Sequence, residues 1–179
     1  MISPKVEGLR EQRYLKRSAP LLPLSRKSML INGRRLGLDY GDRRIGISIS
    51  DPNSIIVSPF KTVANDQDFG SAVAQIASIA EEQNVVVVYI GLPLHLSGGE
   101  GESAGKVRDF AMQLKAKVSD QVTLRLIDER LSTTSAQRQA RESGKKLNKQ
   151  EIDQWAAVAI LEAAIEEEKI GGELAGEAL

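Results

Sequence analysis

The chain has 179 residues, 41% apolar and 27% charged, a profile expected of one globular domain with an ordinary core. It contains no cysteine, which excludes disulfides, thiolate metal sites and cysteine nucleophiles; its single histidine, His95, excludes zinc sets built from two or three imidazoles. No apolar run is long enough to span a bilayer, so a cytoplasmic protein without membrane contact is expected.

The net charge of zero is unevenly spread. Residues 1–28 hold seven Lys or Arg against two Glu (net +5), and residues 162–179 hold one Lys against six Glu (net −5). The first stretch has no sustained period and is interrupted by Pro4, Pro20 and Pro23, so residues 1–29 read as a basic, disordered extension. Met29 stands just before the first ordered-looking residues and is a candidate natural start. Residues 30–168 read as one folded domain, and 169–179 as a loose, acidic, Gly-rich tail.

Within the domain, residues 34–40 and 43–50 form an expected β-hairpin. The apolar run of its first strand ends on one acid, Asp39, and such a carboxylate is costly to bury unless a cation or donor pairs with it. Residues 55–63 read as a third strand, with Pro59 marking an edge or a bend. Residues 66–83 carry Phe69, Val73, Ile76, Ala77 and Ala80 at helical spacing. The unbroken run Val85-Val86-Val87-Val88-Tyr89-Ile90 has the character of a strand buried on both faces, hence a sheet covered by helices on both sides. A loop with Gly98, Gly99, Gly101 and Gly105 follows, expected to be flexible and placed where open α/β sheets bind ligands.

A second helix is marked by Val107, Phe110, Ala111, Leu114 and Val118, and a further strand, 122–127, runs into Asp128-Glu129. Ser132 is a suitable N-cap for a helix over 133–143 stopped at Gly144. Asn148 followed by Glu151 has the form of a capping box. The last helix presents Ile152, Ala156, Ala159, Ile160 and Ala163 on its expected buried face and frays at Glu166-Glu167-Glu168. The order is β-β-β-α-β-α-β-α-α, a mixed sheet whose helix-linked strands run parallel.

Three carboxylates stand where chemistry is expected: Asp39 and Glu129 at strand ends, and Asp153 near the start of the last helix. Together they would make a hard oxygen site for Mg²⁺ or Mn²⁺, and two such ions about 4 Å apart serve phosphodiester hydrolysis without histidine. Each acid taken alone has a structural explanation, as turn former, ion-pair partner or helix-dipole partner. Asp128 and Glu129 point to opposite faces of a strand, and alternation leaves open which one faces the site. Arg43, Arg44 and Arg130 flank the acids as candidate phosphate contacts, and Ser132 and Thr133 offer hydroxyls at a helix start. The six cations between Arg130 and Lys149 form a local basic patch.

Four segments taken together, Leu38-Asp39-Tyr40-Gly41-Asp42-Arg43-Arg44-Ile45-Gly46, Ile90-Gly91-Leu92-Pro93, Asp128-Glu129-Arg130-Leu131-Ser132-Thr133 and Ile152-Asp153-Gln154-Trp155-Ala156-Ala157, resemble the YqgF family, also called RuvX. The resemblance covers about residues 34–165. It implies a ribonuclease-H-like fold with five strands in the order 3-2-1-4-5, and metal-dependent nuclease activity with Asp39, Glu129 and Asp153 at the family's acidic positions, which favours Glu129 over Asp128. It also implies a nucleic-acid partner, either the 5′ end of pre-16S ribosomal RNA, with ribosomal precursor particles, or a Holliday junction. A junction resolvase would work as a symmetric dimer, whereas RNA trimming needs only a monomer. The loop after Pro93 and the Trp at 155 depart from the family pattern. Two further readings are an ATP-binding domain, which Leu38-Asp39-Tyr40-Gly41 also resembles, and a non-catalytic nucleic-acid-binding module; one short domain lacks the two-lobed cleft of the first, and the full acid set disfavours the second.

Overall fold

A computed structural model describes residues 32–65, 69–95, 97–131 and 148–179. The expected extension over 1–29, apart from these, and the helix over 133–143 with its cap Ser132 lie outside the described residues, as does Thr133.

The strands are β1 (Arg34–Tyr40), β2 (Arg44–Ser50), β3 (Val57–Ala64), β4 (Val85–Leu92), β5 (Thr123–Asp128) and β6 (Glu177–Ala178). The helices are α1 (Phe69–Glu82), α2 (Glu102–Lys115) and α3 (Lys149–Gly171), with a short 3₁₀ turn over Glu129–Leu131. The sheet order is β3-β2-β1-β4-β5-β6. β1, β2 and β3 are antiparallel, whereas β4 and β5 join β1 in parallel, as crossovers through helices require. The expected five-strand order therefore holds, with one strand added at its far edge. Pro59 sits on the outer strand β3, at a register shift opposite Ile47 and Ser48, where its missing N–H interrupts no further ladder.

Strand alternation divides the core in two. Leu36, Leu38, Ile45, Ile47, Val88, Ile90, Leu124 and Leu126 face α1 and α2, meeting Val73, Ile76, Phe110 and Leu114. The opposite face, with Val87, Tyr89 and Ile127, meets Ile160, Leu161, Ala164 and Ile165 of α3. This accounts for the unbroken apolar run of β4, which is buried from both sides.

The last helix and the tail differ from expectation. The capping box at Asn148 is formed, with Glu151 N–H donating to the Asn148 side chain at 2.9 Å and Asn148 N–H donating to Glu151 at 2.7 Å. The expected Ala159 and Ile160 are buried, but the buried face also takes in Ala157, Val158, Leu161, Ala164, Ile165 and Glu168, while Ile152 is 53% exposed. The cause is close backbone packing: a Cβ on Gly46 would lie 2.0 Å from the Asp153 carbonyl oxygen, and one on Gly37 would lie 2.7 Å from that of Ala157. These two glycines let α3 lie directly on the sheet, and the Ser48 hydroxyl donates to the Ala157 carbonyl at 2.8 Å.

Glu166-Glu167-Glu168 is not a frayed end. Arg35 and Glu168, 2% and 1% exposed, form a buried pair with Nη2–Oε2 at 2.9 Å, and the Tyr89 hydroxyl donates to the same carboxylate. The segment expected to be a loose tail is ordered. Gly172, at φ +76°, caps α3 with a left-handed turn, and Gly176, at φ +66°, brings the chain onto β5. Arg125 donates to the carbonyls of Leu174, Ala175 and Gly176, and β6 pairs antiparallel with β5.

Candidate active site

Asp39 pairs across the ladder with Gly46 of β2. On its other side Leu38 pairs with Ile90, so the next residue of β4, Gly91, stands alongside Asp39. A carboxylate thus projects from the centre of the sheet between two residues that have no side chain. Each vacancy is filled by another candidate acid's residue. The Asp153 carbonyl covers Gly46, and a Cβ on Gly91 would lie 2.7 Å from Glu129 Oε1 and 3.0 Å from its Cγ. Glu129 opens the 3₁₀ turn that follows β5, which folds its side chain back over β4.

The electrostatics follow this geometry. Burial, and then the charge of Asp153, push Asp39 up to about 6. Burial, followed by the charges of Asp39 and Asp128, pushes Glu129 up to about 7. Asp128, the last residue of β5, behaves in the opposite way. Its carboxylate receives the Arg130 guanidinium (Nε–Oδ2 2.9 Å) and the Arg130 N–H (3.0 Å), which hold it below the usual carboxylate range. Of the two neighbouring acids, Glu129 is therefore the one that interacts with Asp39.

The flanking arginines differ in their engagement. Arg44 Nε donates to Asp153 Oδ2 at 2.6 Å. Arg130 is committed to Asp128 and reaches the His95 carbonyl at 3.3 Å. Arg43 is exposed in the hairpin turn. Asp42 in that turn pairs with Lys106 of α2 at 3.2 Å. Trp155 is half-buried on α3.

Asn65 had no signal in the sequence. Its side-chain amide donates to the Gly41 carbonyl and its N–H to the Arg43 carbonyl, both at 2.9 Å, so it ties down the turn between Asp39 and Arg44. The expected flexible loop is in part a closed turn: His95 N–H donates to Gly99 O at 2.9 Å, Gly98 N–H donates to His95 O at 2.8 Å, and Leu94 bridges Glu100. A cavity lined by Ala77, Glu81, Asn84, Lys117 and Gln121 lies at the opposite end of the sheet and includes none of the site acids.

The donor chemistry suits a hard divalent cation. Asp39 and Glu129 offer carboxylate oxygens, and both are raised in pKa by burial and then by negative charge, the second of which a cation would offset. As they stand, however, no three Asp, Glu or His side chains among the described residues form a ready-made cation cage. Asp153, the third candidate, is taken up by Arg44 instead.

Comparison with known proteins agrees with this architecture. The family model described as "RuvX: Holliday junction resolvase" matches residues 33–167. A protein of Mycobacteroides abscessus named "Putative pre-16S rRNA nuclease" is 46% identical over 139 residues, covering 76% of this chain and 83% of that protein. A Streptomyces avermitilis protein of the same name is 44% identical over 147 residues, covering 81% and 93%. Thermus thermophilus RuvC, solved with a Holliday junction substrate, shares the fold at a TM-score of 0.57 and 12% identity, over 82% of this chain and 99% of that one. No helix among the described residues is long and apolar enough to cross a membrane. With its family model matched over most of its length and relatives above 40% identity, the chain belongs to the RuvX family.

Proposed function

We propose that the protein is a divalent-cation-dependent nuclease that hydrolyses phosphodiester bonds at the 5′ end of pre-16S ribosomal RNA. The observation that carries this reading is the meeting of Asp39 and Glu129 over glycines, each pushed toward protonation by burial and by other acids. Two carboxylates brought together where burial opposes their charge cost stability, whereas a cation site needs that charge. The names of the relatives from Mycobacteroides and Streptomyces support the RNA substrate.

Asp39 and Glu129 would hold the cation, with Asp153 as third ligand. Bound Mg²⁺ or Mn²⁺, as one ion or a pair, supplies Lewis-acid stabilisation of the phosphate and acidifies a water. The chain's own residues do the positioning. Arg43 and Arg44, on the turn beside Asp39, would contact the phosphate backbone, and Arg130, already tied to Asp128, would hold the far side. Ser132 and Thr133 would add hydroxyl donors. Because such contacts read phosphates and not bases, selection of the substrate would rest on its shape.

The family description favours one second reading, a Holliday junction resolvase, which would require two copies to cut both strands symmetrically. One experiment separates the two. The protein is incubated with a 5′-extended 16S precursor RNA and with a four-way DNA junction, in Mn²⁺ or in EDTA, alongside Asp39→Asn. Precursor cleavage that requires Mn²⁺ and Asp39 is the expected result. Cleavage of the junction alone would favour the second reading, and cleavage that survives EDTA or the substitution would remove the metal-nuclease mechanism.

A further inference from the structure

We propose that Arg44 is a built-in counter-ion for Asp153, which competes with the divalent cation for that carboxylate and is released onto a substrate phosphate. The inference rests on the cation site proposed above and concerns how that site is completed. Arg44 begins β2, two residues before Gly46, and Asp153 lies on α3 directly over Gly46. The guanidinium makes one hydrogen bond to the carboxylate, Nε to Oδ2 at 2.6 Å. Its two Nη groups make no hydrogen bond among the described residues, and the side chain is 33% exposed. Arg44 therefore reaches the acid with one edge and presents a two-pronged donor edge outward, the geometry that suits a phosphate oxygen pair.

The buried pair Arg35–Glu168 shows the alternative. There the arginine engages both carboxylate oxygens, Nε to Oε1 at 3.3 Å and Nη2 to Oε2 at 2.9 Å, and a further Nη1 bond to the Gly33 carbonyl at 2.7 Å consumes the rest of the fork. That pair is locked, whereas the Arg44–Asp153 pair is partly exposed and held by one hydrogen bond, which leaves it easier to exchange. Asp39 pairs across the ladder with Gly46, and the Asp153 backbone covers that same glycine, so the two acids belong to one corner of the sheet. By linkage, a phosphate that draws Arg44 away raises cation affinity, and a bound cation makes Arg44 available to phosphate. The site would then be complete only when both are present.

The test measures Mn²⁺ affinity without substrate, from the electron paramagnetic resonance signal of free Mn²⁺, on full-length wild type, Arg44→Gln, Arg43→Gln and Asp39→Asn. Arg44→Gln is expected to bind Mn²⁺ more tightly than wild type by on the order of tenfold. Arg43→Gln removes the same charge from the same turn and is expected to change affinity by less than about threefold. If Arg44→Gln binds no more tightly than wild type, or if Arg43→Gln tightens binding equally, the specific competition is overturned. Wild-type affinity in Asp39→Asn would instead show that the cation site itself is wrongly placed. Circular dichroism of each variant identifies any that fails to fold, and Arg44→Met, which removes the charge and keeps the length of the side chain, is then read in place of Arg44→Gln with tightening again expected.

Discussion

Replacing Asp39 with Asn should make the protein more stable and inactive at once. In the folded chain Asp39 titrates near 6, against 3.8 for a free side chain. Between those values the folded state holds a proton that the unfolded state has lost, so stability falls as pH rises and the full penalty is present above about pH 6. A difference of about two pH units corresponds to roughly 3 kcal/mol, and partial solvent access reduces this to about 1–3 kcal/mol. Asn has the same shape without the charge. Asp39→Asn should therefore exceed wild type in urea stability by about 1–3 kcal/mol at pH 7.5 in EDTA, and the gap should close below pH 4. For a domain of this size that is on the order of 2–10 °C in melting temperature. Mn²⁺ should reverse the ranking by stabilising wild type and leaving the variant unchanged. An Asn variant no more stable than wild type at pH 7.5, or a gap that persists at pH 4, would refute the claim that burial and Asp153 strain this carboxylate.

Gly91→Ala should abolish cleavage while the fold survives, because the new methyl would lie 2.7 Å from Glu129 Oε1 and 2.6 Å from Ile160 Cδ1; a cost of about 1–3 kcal/mol is expected in denaturation, with activity measured in parallel. Mn²⁺ affinity, followed by titration calorimetry, should rise from pH 5.5 and level off near pH 8, since Asp39 and Glu129 must shed protons first and titrate at about 6 and about 7. Glu168→Gln should cost about 3–5 kcal/mol in urea stability by stranding the buried Arg35 guanidinium, yet leave Mn²⁺ affinity at the distant acids close to wild type.

Much of the sheet could be read from pattern. The β1–β2 hairpin, the doubly buried β4 and the capping box at Asn148 rest on local spacing and appear where expected. Asp39 stood out for the same reason, as the one acid closing an apolar run. What escaped depends on partners distant in sequence. The face of α3 is legible only in part, at Ala159 and Ile160, because apolar and small residues surround the helix from Ala156 to Leu161 and the glycines beneath it select the contact line. The tail looked loose by composition, but it is held by Arg125 and by Arg108, which pairs with Glu177 at 2.9 Å. The role of Gly91, which is to make room for a side chain from the turn after β5, depends on that distant partner. Alternation could not choose between Asp128 and Glu129, because β5 ends between them.

The packing of α3 across β1 has a consequence for synthesis. β1 lies at the centre of the sheet and is among the first described segments to be made, yet Asp153 and the Arg35–Glu168 pair, whose members are separated by 133 residues, arrive with the final helix. Closing contacts of such long separation is slow, and it waits on the synthesis of α3. A nascent chain that has not yet reached α3 would carry Asp39 and Glu129 without Asp153, and would leave Gly37 and Gly46 of the central strands uncovered.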